Sequence, residues 1–328
     1  MTAINNPEWL PLVAENYGVK VQGVPLLLNE REGQRVFRVD THEGNTLTVR
    51  LCSPERPYER VLADTAALLY LEEAGFPAPV LRQTQKGESI FQWQTGSWGY
   101  VHTFIKGENP EMDLPTLTEL ATLLGRLHTL AKSKETFSAQ VDWLAELPTA
   151  IQRAESCAND PKWGTLAIEV AHTLQSLPDL KVLPCGLIHT DVHEGNLLRT
   201  PEGKLYLLDW EDTGQGEMIF DLALVLGWNC VWPISKNLNG EVNRYDFDEE
   251  WSLTFLKAYQ QVRRLTQTEA RLLGAAIRFV MGWFAARDIA REITEPGISE
   301  GLAYTNWAIM HSVSPYWEKL LTQWAIEA

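Results

Sequence analysis

Two short strand-forming runs joined by a turn, with acid and amide side chains at their ends, constrain this chain more than any other part of its sequence. Residues 188–198 read Ile-His-Thr-Asp-Val-His-Glu-Gly-Asn-Leu-Leu, and residues 207–211 read Leu-Leu-Asp-Trp-Glu. Between them, Pro-Glu-Gly-Lys at 201–204 has the composition of a turn. We therefore predict a hairpin that brings three polar side chains to one edge of a small sheet: Asp191, Asn196 and Asp209.

These side chains have the order and spacing of a phosphoryl-transfer site. In H-x-D-x-x-x-x-N, the Asp accepts a proton from the attacking hydroxyl and the Asn binds a metal ion, while a second Asp after the next strand binds another. The segment begins at His189, which would steady the loop. We predict that Asp191 is the catalytic base and that Asn196 and Asp209 bind magnesium.

Two other interpretations of this segment compete with that prediction. His189, Asp191 and His193 alternate, so on a strand they would share one face and could bind zinc, but the other five histidines are scattered. Alternatively, Asp191 caps a turn and His189 is a core histidine. The offsets of Asn196 and Asp209 favour phosphoryl transfer over both.

The segment resembles the catalytic segment of the aminoglycoside phosphotransferase and choline kinase superfamily, in which H-x-D-x-x-x-x-N precedes D-x-E or D-x-D. Residues 212–223 continue the pattern with a Gly-containing loop and an Asp-Leu-Ala helix start, where Asp221 is expected to cap the helix. The resemblance extends over nearly the whole chain. It implies a kinase that uses ATP and Mg²⁺ to phosphorylate a hydroxyl group of a small molecule.

Hydrophobic periodicity agrees with the α+β, bilobal protein-kinase-like fold that the resemblance implies. It predicts a β-rich lobe at residues 1–105 and a helical C-terminal lobe at 106–328 that contains the catalytic hairpin, joined at a hinge in 106–110. The resemblance implies that the first lobe is a small antiparallel β-sheet that binds nucleotide and that the second holds the acceptor cleft. The predicted strands are 24–28, 35–39, 46–51, 89–93 and 99–105. The predicted helices are 58–73, 117–131, 249–263, 267–292 and 299–326.

The nucleotide site lacks the usual glycine-rich motifs, since the sequence contains neither G-x-x-x-x-G-K-[ST] nor G-x-G-x-x-G. Gly33 lies between the first two predicted strands, where a loop would cover phosphates. Arg50 lies on the third strand, on the opposite face from that strand's apolar side chains. Protein kinases keep a phosphate-binding Lys there, and Arg can clamp phosphate with two parallel hydrogen bonds.

The resemblance also implies further contacts. Asp64 falls at the family's helix acid and would pair with Arg50, with Glu59 as the alternative. Glu211, the second carboxylate of D-x-E, would lie close to the metals. Three residues would offer backbone groups to adenine: Thr103, Phe104 and Ile105.

The acceptor is the least constrained part of the sequence. Trp228, Trp232 and Trp283 fall in stretches that line the acceptor cleft in this family, so they form either an aromatic cage for a quaternary ammonium group or, as we prefer, core packing. The C-terminal part is also similar to type II homoserine kinases, in which case Arg278 or Arg287 would pair with an acceptor carboxylate. The acceptor class therefore stays open between amino sugars, homoserine-like and choline-like alcohols.

A formal net charge of −15 argues against nucleic acid or an anionic membrane as partner, because both require a basic face. The N-terminal residues lack the pattern of a signal peptide and no run reaches membrane-spanning length, so we expect a cytoplasmic protein of undetermined oligomeric state. A nucleotide-binding pseudokinase without turnover is the alternative function, suggested by Arg50 and Asp64. The scattered cysteines are expected to be reduced thiols: Cys52, Cys157, Cys185 and Cys230.

Overall fold

The computed structural model describes residues 2–3, 7–130, 141–236, 240 and 242–327. They form two compact units. The first contains the described residues through Pro110 together with Asn196–Gly214, and the second contains residues 111–130, Val141–Gly195 and 215–327. An antiparallel N-terminal sheet followed by a mostly helical remainder confirms the predicted α+β, kinase-like fold class.

The first unit is built on an antiparallel sheet with the strand order β1-β2-β3-β4-β7-β5, in which β6 also pairs with β7. Two helices accompany it, α1 (Trp9–Tyr17) and α2 (Tyr58–Glu73). The strands are β1 (Thr2–Ala3), β2 (Val21–Arg31), β3 (Gln34–Thr41), β4 (Thr46–Leu51), β5 (Leu81–Arg82), β6 (Phe91–Gln94) and β7 (Ser97–Thr103).

Alternation along β4 explains how this sheet holds its core and presents its polar residue. Leu47, Val49 and Leu51 are at most 2% exposed and join a core that includes Trp9 and Phe37, whose rings lie 4.7 Å apart. The opposite face of β4 is covered as well, since Arg50 is only 9% exposed. The strand is therefore buried on both sides, and its arginine requires charged partners.

The segment around the motif forms four short strands: β8 (Cys185–Ile188), β9 (Leu197–Arg199), β10 (Leu205–Leu207) and β11 (Gly214–Glu217). Strands β9 and β10 form the predicted hairpin, with Leu197 paired to Leu207. The predicted hinge lies against this hairpin, because Glu108 and Arg199 exchange two backbone hydrogen bonds of 3.1 and 2.8 Å. Gly107 permits this approach, since a Cβ there would lie 2.4 Å from the carbonyl oxygen of Arg199.

The second unit is a helical body with one exposed two-stranded ribbon, β12 (Val231–Lys236) and β13 (Val242–Phe247). In the described residues, no helix is both long enough and apolar enough to cross a membrane. The helices are α3 (Leu114–Thr129), α4 (Leu147–Ser156), α5 (Gly164–Gln175), α6 (Ile219–Asn229), α7 (Glu249–Val262), α8 (Gln267–Thr294), α9 (Glu300–Ser312) and α10 (Pro315–Glu327).

Candidate active site

In the first unit, one arginine nitrogen is shared by two carboxylates of the predicted site. Nη1 of Arg50 lies 2.8 Å from Oδ1 of Asp209 and 2.5 Å from Oε1 of Glu211. Burial opposes the charged form of Arg50, but Tyr100, Glu211 and Asp209 together outweigh it and raise the pKa of the guanidinium. The predicted phosphate cation and two predicted metal-binding carboxylates are thus in direct contact.

The pairing of β9 with β10 also places Asn196. Because Leu197 faces Leu207, Asn196 and Asp209 leave the same end of the hairpin, and the N–H of Leu208 donates to the carbonyl of Asn196 over 2.8 Å. Asp209 itself has a left-handed backbone with φ of 62°. Such a conformation is strained for a residue with a side chain, and strain of this kind concentrates at functional sites.

Trp210 anchors the stretch between the two carboxylates. Its side chain is 3% exposed, its ring meets Phe76 edge to face at 5.5 Å, and its indole N–H donates to the carbonyl of Leu207 over 2.7 Å. An aromatic anchor between Asp209 and Glu211 keeps both acids on the hairpin, which explains an apolar residue at the middle of D-x-E.

Asp64 differs from its expected role. Its buried carboxylate lies 2.5 Å from Nη2 of Arg56 and 3.5 Å from Nε of Arg60 one helical turn earlier, whereas Arg50 pairs with the hairpin acids. Burial raises the pKa of Asp64 to about 6, against the opposite effect of the two arginines. The alternative partner, Glu59, is exposed. Local cations on and beside α2 therefore satisfy the acid that sequence reasoning assigned to Arg50.

The predicted adenine-binding stretch continues β7. The N–H of Thr103 donates to Val80 over 2.8 Å and that of Phe104 donates to Thr46 over 3.1 Å. Burial lowers the pKa of the neighbouring His102 to about 4, so this ring is neutral at pH 7. At the other end of the sheet, Gly33 occupies the turn between β2 and β3 with φ of 80°, a conformation that favours glycine.

The catalytic loop of the second unit is held by an acid on α6. Both carboxylate oxygens of Asp221 accept backbone hydrogen bonds, from His189 over 2.8 Å and from Thr190 over 2.9 Å. Thr190 has φ of 75°, which a β-branched residue rarely adopts. The N–H of Asp191 then donates to Nδ1 of the fully buried His189 over 3.3 Å. The loop conformation is thus fixed from two sides.

Asp221 was expected to cap α6, and the structure corrects this expectation. The N-cap position is Met218, and Asp221 lies inside the helix with no exposed surface. Its second oxygen also contacts Nε2 of His128 at 3.2 Å, and Nδ1 of His128 lies 2.9 Å from the hydroxyl of Tyr259. The available sequence signal was a single carboxylate in an otherwise apolar run, because a buried acid requires partners.

The side chain of Asp191 is 46% exposed, and Nε2 of His193 lies 3.5 Å from its Oδ2. The His193 ring in turn meets Trp228 at a centroid distance of 6.3 Å. Both predicted acceptor arginines have partners within the second unit. Arg278 pairs with Glu318 at 2.8 Å and Arg287 pairs with its neighbour Asp288 at 2.9 Å.

The donor atoms around Arg50 fit a hard divalent cation. Asp209 and Glu211 already converge on one positive charge, and carboxylate and amide oxygens are the ligands that Mg²⁺ prefers. Across the described ranges, no group of three or more His, Cys, Asp or Glu side chains is arranged to hold a metal ion. A cation bound jointly by a few protein oxygens and a nucleotide suits these residues better than zinc held by His189, Asp191 and His193.

Comparisons with known proteins identify the family of this chain. The model of the phosphotransferase enzyme family matches residues 26–275. A thiamine kinase of Shigella flexneri serotype 5b is 26% identical over 283 residues, which span 86% of this chain and 84% of that protein. A thiamine kinase of Escherichia coli O1:K1 is 26% identical over 219 residues, 67% of each chain.

Solved structures share the fold at low identity. Amicoumacin kinase in complex with AMP-PNP and Ca²⁺ superposes with a TM-score of 0.66 at 17% identity, covering 93% of this chain and 94% of that one. A microcompartment-associated aminopropanol kinase gives 0.67 at 16% identity, covering 91% and 94%. Spectinomycin phosphotransferase with ADP gives 0.67 at 13% identity, covering 97% and 100%.

Proposed function

Since the chain belongs to the phosphotransferase enzyme family and is a small-molecule kinase, we propose that it transfers the γ-phosphoryl group of ATP, with magnesium, to the hydroxyl of thiamine or a similar alcohol. The convergence of Asp209 and Glu211 on Arg50 is the observation that carries the nucleotide and metal part. Thiamine is the first candidate acceptor because relatives aligned over two thirds or more of the chain are thiamine kinases.

On this proposal, Asp191 accepts the proton of the acceptor hydroxyl as its oxygen bonds to the γ-phosphorus and the bond to the ADP oxygen breaks. His189 and Asp221 position the base through the backbone of the loop. The side chains of Asn196, Asp209 and Glu211 would hold magnesium, which neutralises phosphate charge when bound. Little covalent chemistry is left to the protein, so positioning and electrostatics provide most of the rate.

The phosphates and the adenine of the nucleotide would bind at opposite ends of the sheet. Arg50 would exchange its carboxylate partners for the phosphates, while Gly33 would let the β2–β3 turn approach them. Adenine would contact the stretch from Thr103 to Ile105. In that stretch, the N–H groups of Thr103 and Phe104 already donate within the sheet, so we assign the adenine contact to the N–H of Ile105.

The test is ADP formation from ATP with a panel of alcohols: thiamine, aminopropanol, choline, ethanolamine, homoserine, methylthioribose and several aminoglycosides. Thiamine should give the highest kcat/KM, and mass spectrometry should identify its monophosphate. An analogue of thiamine that lacks the hydroxyl should inhibit without being consumed. ADP formation equal to the acceptor-free control with every alcohol would contradict a kinase and favour the pseudokinase alternative.

The variant that tests the base is Asp191→Asn, which keeps the size of the side chain and removes its basicity. It should lower kcat by about two to four orders of magnitude while leaving the ATP dissociation constant nearly unchanged. A variant that keeps more than about a tenth of the wild-type rate would show that Asp191 is not the base.

A further inference from the structure

A group of aromatic side chains adjoins the catalytic loop within the second unit. Trp228 meets His193 at 79° and packs on Phe284 at a centroid distance of 5.0 Å. Phe284 meets Trp283 at 5.0 Å, and Trp283 stacks on Trp143 at 5.7 Å with only 15° between the rings. We call this group the aromatic wall, composed of Trp143, Trp228, Trp283 and Phe284.

The aromatic wall is not ordinary core. Trp143, Trp228 and Trp283 are only half-buried, although every residue of α6 before Trp228, from Ile219 to Gly227, is buried. The half-buried Trp228 therefore lies near the end of the helix. Its ring meets that of His193, and His193 in turn contacts Asp191. Surface of this kind beside a catalytic base is suited to binding a substrate.

A buried polar chain fixes the orientation of Trp228. Its indole N–H donates to the side-chain oxygen of Asn306 over 3.1 Å, and the Asn306 amide donates to Asp288 over 3.0 Å. Asn306 and Asp288 are 2% and 1% exposed. Apolar packing alone does not require such a chain, because buried polar groups add desolvation costs unless every partner is satisfied. Its effect is to hold one indole ring in a single position.

The charge around the aromatic wall favours a cationic ligand. Arg287 of the chain itself lies over Phe284 at 4.6 Å and over Trp283 at 5.6 Å, and Asp288 neutralises it. The carbonyl end of α6 coincides with Trp228, and helix C-termini favour positive charge. In the described part of the chain, the buried amide oxygen of the adjacent Asn229 has no hydrogen-bond partner. The face of Trp228, the helix end and this oxygen all attract positive charge.

We propose that the aromatic wall is the acceptor subsite, and that Trp228 stacks against a flat, positively charged aromatic ring of the alcohol that Asp191 deprotonates. This inference rests on the proposed function and names its substrate class. Trp228 would touch the substrate, whereas Asn306 and Asp288 would act through it as positioning residues. The wall then selects acceptors by ring and charge, while the loop selects the hydroxyl.

The experiment compares alcohols that differ in only one of these properties. The probes are hydroxyethyl-methylthiazole, its N-methylated thiazolium cation, and choline, which is a cation without a ring. Calorimetry without ATP should show that the thiazolium binds about 10-fold or more tightly than the neutral thiazole and than choline, as a cation–π stack predicts. Equal affinities for the thiazolium and the thiazole would overturn the proposal.

Variants then assign the preference to Trp228. Trp228→Ala should raise KM for the thiazolium about 10-fold or more and change kcat by less than about 3-fold, since only binding is lost. Trp228→Phe keeps the packing and a ring face, and should recover most of the affinity. The control is Trp232→Ala, because Trp232 is 47% exposed on β12 and is bonded to Asp248. An unchanged thiazolium preference in folded Trp228→Ala would exclude Trp228 as the platform.

The calorimetric result separates this inference from the proposed function. If no alcohol is phosphorylated but the thiazolium preference is present and depends on Trp228, the kinase activity fails and the subsite stands. If alcohols are phosphorylated without regard to ring, charge or Trp228, the kinase stands and the subsite fails. Thermal unfolding of each variant confirms that the loss is not a loss of fold.

Discussion

At the scale of single residues, the observed contacts of Arg50 and its proposed role in phosphate binding exclude each other in time. Its Nη1 now neutralises Asp209 and Glu211, and the same guanidinium is the cation that we assign to the nucleotide phosphates. Bound magnesium would take over the carboxylates and leave the arginine for the phosphates. Metal and nucleotide are therefore expected to bind with positive coupling. Magnesium on the carboxylates would free Arg50 for the phosphates, and phosphates on Arg50 would free the carboxylates for magnesium.

Replacing Arg50 by Met tests both roles. We expect ATP and ADP binding to weaken by about 1.5 to 3 kcal/mol with adenosine unaffected, because only a charge-assisted phosphate contact is lost. Arg50→Lys should restore part of this, since the charge remains and the fork is lost. Calorimetry with the three ligands is the measurement, and equal weakening of adenosine and ATP would make Arg50 a structural residue.

The hairpin next to Asn196 and Asp209 was predictable, because two strand-forming runs joined by a turn are a local pattern. The partner of Arg50 was not. Asp64 and the hairpin acids are comparable candidates by sequence, and the choice depends on Arg56 and Arg60, whose guanidinium groups reach Asp64. Ion pairs between residues distant in sequence depend on tertiary placement, which side-chain periodicity does not encode.

At the scale of elements, α6 acts as the support of the catalytic loop. Its acid, Asp221, accepts the N–H groups of two successive residues, one of which has a strained backbone. A loop conformation of this kind persists only where surrounding hydrogen bonds determine it. The helix thus determines the loop conformation although neither carboxylate oxygen of Asp221 reaches the surface.

Asp221→Asn should lower both stability and kcat, because the amide nitrogen cannot accept the N–H that the lost oxygen accepted. We expect a loss of about 1 to 3 kcal/mol in the free energy of unfolding, with ATP affinity preserved. The matched control is Glu292→Gln. That carboxylate is 3% exposed and also accepts two backbone N–H groups, from Gly297 and Ser299. The control should lose similar stability and keep kcat; equal losses of kcat in both would refute the support role.

His102 on strand β7 makes the stability of the first unit depend on pH. Because burial holds the pKa of His102 at about 4, below the ordinary 6.5, the unfolded chain binds more protons between these values. The contribution of His102 to stability is therefore present at pH 7 and is lost as the pH falls from about 6.5 to about 4, by up to about 1 kcal/mol per pH unit.

Denaturant unfolding at several pH values, compared between wild type and His102→Gln, measures this contribution. The comparison with the variant is required because burial raises the pKa of Asp64, so the contribution of Asp64 to stability increases as the pH falls. The variant should lose less stability on acidification than the wild type. His42→Gln, on an exposed turn, is the control and should follow the wild type. Parallel curves for His102→Gln and wild type would contradict the prediction.

Elements with strong periodicity were predicted well, and α2 has its predicted bounds at residues 58–73. The single helix predicted for 299–326 is two, because the chain breaks before Pro315, which cannot sit inside a helix but suits its first turn. Helices α1, α4 and α5 and the β12–β13 ribbon were not predicted. The three helices are only 9, 10 and 12 residues long and the ribbon strands are mostly exposed, so local pattern carries little signal there.

At the scale of the whole molecule, the first unit is discontinuous in sequence. It needs Asn196–Gly214, whose Trp210 packs on Phe76 and whose Leu207 donates to the carbonyl of Pro77 over 3.3 Å. The sequence predicted the hairpin, and its contacts group it with the residues through Pro110. Which sheet or helix a short hairpin packs on depends on contacts across more than a hundred residues, and those leave no local pattern.

A fragment of residues 1–110 should therefore fold poorly by itself. Without the hairpin, Phe76 loses its aromatic partner and the edge at Glu108 loses β9, so the fragment is expected to bind a dye specific for exposed apolar surface and to unfold without cooperativity. Adding residues 196–214 through a flexible linker should restore cooperative unfolding. Native-like, cooperative unfolding of the fragment alone would show that the hairpin is dispensable.

Because the first unit is discontinuous, it is completed late during synthesis. The last residues of the first unit leave the ribosome roughly a hundred residues after Pro110, which at about 5 to 20 residues per second is a delay of about 5 to 20 s. During this interval the nascent sheet has Phe76 uncovered and its charged residues without their final partners. Rare codons or a chaperone acting between those two points would consequently affect the yield of active protein more than the same perturbation acting after Gly214.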